Sequence, residues 1–98
     1  MYQARIQHLY DCMRTYSQTM PDNALTLAVA AELQQLRKAQ GITQGALAEA
    51  SGIPRVSIQR YENGGSIKIE ELGILCDALG EDPAALFARA VARVHRED

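Results

Sequence analysis

With 98 residues the chain is long enough for one domain around one core and too short for two. A hydrophobic content of 47% against an aromatic content of 5%, with no Trp, describes an aliphatic core of the kind that small helical bundles use. No apolar run approaches the ~20 residues of a membrane span and no signal peptide opens the chain, so the cytoplasm is the expected compartment, while a net charge of −2 offers no overall attraction to a polyanion.

In chain order, Tyr2, Ile6, Leu9, Met13, Tyr16 and Met20 recur at steps of 4, 3, 4, 3 and 4. This is a narrow a/d seam on a helix whose other side (Gln3, Gln7, Asp11, Arg14, Gln18) is polar. Periodicity says that a face is buried but not against what, so the seam is either a dimer interface or packed within its own chain. Pro21 disfavours α geometry at Met20 and divides the chain into an amphipathic N-terminal helix, residues 1–22, and a second unit, residues 23–98. Asp22 or Asn23 then caps a helix from about Leu25 to Gln40, with Val29, Leu33 and Leu36 on one face, Ala30 beside them and Gly41 closing it.

Residues 44–63 predict two short helices joined by a tight turn. Thr43 supplies an N-cap oxygen for a helix starting at Gln44, Leu47 and Ala48 form its apolar side, and Gly52 ends it in the left-handed conformation. Pro54 restarts a helix at N1, where its missing N–H is no loss. Ile58 and Tyr61 face inward and leave Arg55, Val56, Gln59 and Arg60 outward. Two helices cross closely at about 90 to 120° only if the facing side chain is small and the turn has no bulk, and Ala48 and Gly52 fill those positions. A glycine-rich loop, Asn63-Gly64-Gly65-Ser66, follows; its backbone can approach a phosphate closely. Ser66 or Lys68 leads into a fourth helix with Ile69, Leu72, Leu75, Cys76 and Leu79 inward and Gly80 at its end. Asp82 and Pro83 start the last helix as cap and N1, with Leu86, Phe87, Ala90, Val91 and Val94 as its apolar side. Nothing reads as a strand, a repeat or a low-complexity tract.

Catalytic and metal chemistry find no foothold. Cys12 and Cys76 are far apart, without a C-x-x-C or a nearby His pair, and His8 and His95 stand at opposite ends in polar company. No cofactor, metal or small-molecule ligand is implied. Charge, by contrast, is sharply divided. Leu33 to Lys68 holds five basic residues (Arg37, Lys38, Arg55, Arg60, Lys68) against two acidic ones (Glu49, Glu62). Ile69 to Ala88 holds five acidic residues and no basic one, so the field would orient the molecule toward a phosphate backbone.

The stretches LRKAQGITQ (Leu36 to Gln44), LAEASGI (Leu47 to Ile53), SIQRYENG (Ser57 to Gly64) and IEELGILCDALG (Ile69 to Gly80) together resemble the helix-turn-helix of the phage-repressor and Cro class, the xenobiotic-response-element family. The resemblance covers about half the chain. It implies an all-α, lambda-repressor-like five-helix DNA-binding bundle, to which residues 1–22 add an extra N-terminal helix. It also implies an ion pair between Arg37 and Glu62, at the end of the recognition helix. On the family pattern Arg55, Val56 and Arg60 fall at base-reading positions with Ser57 and Gln59 close by. Arginine suits guanine and valine the thymine methyl, so each half-site would carry G and T. Gln44, at a helix N-terminus that favours phosphate, is the family's backbone contact and a brace for Arg55; Thr43, Asn63 and Lys68 are further backbone candidates. Lys68 and Gly45 depart from the family's usual capping residue and Ala or Glu.

The function expected from this resemblance is that of a double-stranded-DNA-binding transcriptional regulator in a bacterial cytoplasm or on a phage or bacterial nucleoid. It would be a repressor binding a near-palindromic operator as a homodimer, through a recognition helix at 54–63. Two alternatives keep the fold: an antitoxin that binds its own promoter and a toxin, and a protein-binding adapter. A toxin or an anti-repressor would then be the protein partner.

Overall fold

The computed structural model describes residues 23–96. Over that span the chain forms α1 (Ala24–Ala39), α2 (Gln44–Ser51), α3 (Arg55–Glu62), α4 (Ile69–Ala78) and α5 (Pro83–Arg96), and the described residues contain no strand. The Tyr2 to Met20 seam lies outside the described residues.

Side-chain caps mark the start of two of these helices. Thr43 holds extended geometry before α2 and its Oγ1 accepts from the Ala46 amide at 3.0 Å. Asp82 Oδ1 accepts from the Ala84 amide at 3.1 Å ahead of α5, whose first residue is Pro83. No side chain caps α1 or α4. The Asn23 carbonyl receives the Leu27 amide, the Lys68 carbonyl receives the Leu72 amide, and α4 therefore starts behind Lys68 rather than Ser66. Pro54 is the N-cap of α3 and not its first residue: its φ of −57° is helical but its ψ of 142° is extended. Its carbonyl still accepts the Ser57 and Ile58 amides.

Three helices end alike. The amides of Gly41 and Ile42 reach Lys38 and Arg37, those of Gly64 and Gly65 reach Tyr61 and Arg60, and those of Gly80 and Glu81 reach Asp77 and Cys76. Each is a paired closure of orphan carbonyls around a glycine at C′. α2 ends differently, with Gly52 at φ +78° donating to the Ala48 carbonyl, which turns the chain sharply into α3.

The core is aliphatic. Leu47, Ile58, Leu75, Cys76, Leu86 and Ala90 are sealed from solvent, with Val29, Leu33, Ile53, Tyr61, Leu72, Leu79 and Val94 around them. α1 packs along α5, α2 against α3 and α4, and α3 also touches α1, while buried Ile53 holds the turn between α2 and α3 on the core. Three expected core residues are outside it: Val91 is only half-buried, and two others are exposed. Ile69 is 82% exposed because the first turn of α4 projects past the core, and Phe87 is 43% exposed because it lies one residue off the Leu86, Ala90, Val94 line of α5.

Buried Glu32 receives Arg89 Nε at 3.1 Å and Arg93 Nε and Nη2 at 3.0 and 2.8 Å, tying α1 to α5. Burial alone would raise its carboxyl, but the bonds from Arg93 and Arg89 outweigh burial and hold it below the ordinary 4.5. Arg89 also reaches Glu81 at 2.7 Å, and Arg93 reaches Gln35 at 2.8 Å. The sequence carried the signal for this cluster: a carboxylate on the apolar side of α1 needs a partner, and Arg89 and Arg93 are i, i+4 neighbours flanking the buried face of α5.

Candidate nucleic-acid interface

α3 is two-sided. Ile58 and Tyr61 are buried at 1% and 3% exposure and fix the helix on the core, while Arg55, Val56, Gln59 and Arg60 face solvent and Ser57 is half-buried. Val56 is 71% exposed at the first turn. The geometry thus presents the start of α3 and withholds its back.

The far end of α3 is anchored through Glu62. Arg37 approaches it as a fork, with Nε 2.7 Å from Oε2 and Nη2 2.9 Å from Oε1, and the remaining Nη1 donates to the Ile42 carbonyl at 2.8 Å. Gln44 Nε2 adds a bond to Glu62 Oε1 at 3.0 Å. The two side chains of the ion pair are only 9% and 2% exposed. Burial would raise the Glu62 carboxyl, yet the Arg37 guanidinium and the Gln44 amide together hold it below 4.5. The Glu62 bond in turn raises Arg37 above its ordinary value. One consequence is electrostatic: the carboxylate at the end of α3 is neutralised inside the protein, while Arg55 and Arg60 on the same helix stay exposed.

Gln44 therefore braces Glu62, where the resemblance implied a brace for Arg55. An amide nitrogen carries two hydrogens, so this bond leaves Gln44 a second donor at the start of α2. Thr43 lies exposed beside it, with its hydroxyl capping that helix. Across the turn, Asn63 is the exposed C-cap of α3 and Lys68 the exposed N-cap of α4. The amides of Gly64 and Gly65 are engaged in closing α3.

Tyr61 extends the support. Its hydroxyl donates to Glu71 Oε1 in the first turn of α4, and that bond, with burial, raises the phenol above its ordinary value. The loop between α3 and α4 is thereby tied at both ends.

A helix-turn-helix family model matches residues 33–86, from the middle of α1 to the first turn of α5. Comparison with curated proteins and with solved structures gave no match.

Proposed function

The chain belongs to the helix-turn-helix family and is of the DNA-binding, transcription-regulating kind, and from that premise we propose that it is a repressor that binds a near-palindromic operator as a homodimer. The observation carrying this reading is the exposed first turn of α3, Arg55 and Val56, on a helix whose back is buried and whose acidic end is neutralised internally. In this reading α3 enters the major groove, Arg55 gives two hydrogen bonds to guanine O6 and N7, and Val56 meets a thymine methyl, with Ser57, Gln59 and Arg60 on the flanks. Thr43, Gln44, Asn63 and Lys68 face the sugar-phosphate backbone on either side.

Dimerisation follows from charge. So few cations per chain displace few counterions, and a second half-site about 34 Å away supplies the missing affinity. Residues 1–22 are assigned to the subunit contact, residues 23–98 to DNA, and the bacterial cytoplasm or nucleoid is the place of action.

Selection of duplexes from a random pool, followed by anisotropy titration over a salt series, tests this. The expected result is a two-fold symmetric motif with G and T in each half and an affinity that falls steeply with salt. Absence of any enriched motif, with equal weak binding to every duplex, would remove the reading.

A further inference from the structure

Arg60 differs from its outward neighbours on α3 in the course of its side chain. A Cβ placed on Gly65 would lie 2.8 Å from Arg60 Cγ and 3.0 Å from the Arg60 carbonyl oxygen, so the arginine stem runs over bare backbone at that glycine. Its guanidinium carbon then lies 5.3 Å from the centre of the Tyr61 ring, a cation over an aromatic face. The Tyr61 hydroxyl beyond is bonded to Glu71 on α4. The contacts with Gly65 and with the Tyr61 ring draw Arg60 toward the loop at residues 63–68 and away from the first turn of α3. Arg60 also belongs to the last turn of the helix, whereas base edges are met by a recognition helix's N-terminal residues and phosphates by its flanks.

Resting on the reading of α3 above, we infer that Arg60 binds a backbone phosphate and that operator discrimination comes from Arg55 and Val56. The partner atoms are the non-bridging oxygens of the DNA strand beside the α3–α4 loop. Tyr61, Gly65 and Glu71 are positioning residues: ring, bare backbone and carboxylate together fix where the guanidinium stands.

The test compares Arg60→Ala, Arg60→Lys and Arg55→Ala on a duplex selected by the wild-type chain and on a scrambled duplex of the same composition, across a salt series. Arg60→Ala weakens both duplexes by the same factor and lowers the salt slope by about 1. Arg60→Lys stays within about twofold of wild type, because a phosphate accepts a point charge where a guanine edge needs the planar fork. Arg55→Ala loses about 5- to 150-fold on the selected duplex and relaxes one base pair of the motif. The assignment is overturned if Arg60→Ala loses more on the selected than on the scrambled duplex, or if Arg60→Lys fails there as alanine does. A wild type that prefers no duplex overturns the DNA reading of α3 itself, and this assignment with it.

Discussion

Replacing Arg37 by methionine keeps the aliphatic stem and removes the charge. Glu62 then loses the bonds at 2.7 and 2.9 Å and keeps only the Gln44 amide at 3.0 Å, with a carboxylate side chain 2% exposed. The Ile42 carbonyl loses its donor as well. Stranding one partner of a buried pair costs about 3 to 5 kcal/mol, against roughly 5 to 15 kcal/mol of total stability for a small domain. A fall of about 12 °C or more in melting temperature follows. Adding Glu62→Met in the same chain removes the stranded charge and recovers part of the loss, so the double-variant cycle shows strong coupling. Urea unfolding followed by helical circular dichroism measures all four chains.

The pH dependence carries the same signature. Glu62 titrates below 4.5 in the folded wild type, so its contribution is fully present above the unfolded value and is lost as pH falls through the folded one. In Arg37→Met, burial goes largely unopposed and pushes the carboxyl up, so acidification toward pH 4.5 recovers stability in the variant. Additive single losses of under about 1 kcal/mol, with parallel pH profiles, would refute the claim that this pair anchors α3.

Two glycines predict opposite signs for one substitution. Gly52→Ala meets no atom within 4 Å but must hold φ +78°, at a cost of about 1 to 2 kcal/mol, whereas Gly45→Ala sits inside α2 in ordinary contact with Thr43 Oγ1 and stabilises by up to about 1 kcal/mol. Chemical denaturation of both variants checks the pair. The Cys76 thiol is fully buried and pushed up to about 11, chiefly by burial and also by Glu81, so its alkylation, read by peptide mass, should proceed only through opening of the fold. Sedimentation of a chain starting at Asp22 beside the full chain should give a monomer and a dimer; equal dimer masses would move the subunit contact elsewhere.

The sequence makes most of this fold legible where a residue acts on its own neighbours. Thr43, Asp82 and Gly52 each satisfy or bend backbone within four residues, and their structural roles follow from side-chain chemistry alone. Helical spacing likewise finds Leu33, Leu47, Ile58 and Leu75, but it does not say where an amphipathic helix outruns its core, which is why Ile69 is misplaced. Long-range polar pairs are a different matter. Nothing in the 25-residue separation of Arg37 and Glu62 pairs them, and only the family resemblance suggested it. The bond from Gln44 to Glu62 is one that neither spacing nor the resemblance suggested. The direction of Arg60 depends on Gly65, Tyr61 and Glu71 meeting across a loop, which no periodicity encodes.

If the exposed side of α3 meets a DNA groove while its back stays on the core, an amide-resolved NMR titration with a selected duplex shifts Thr43 and Gln44, Arg55 to Arg60, and Asn63 to Lys68, and leaves Leu86 to Val94 of α5 unmoved. Shifts centred on α5, with α3 silent, would contradict that placement.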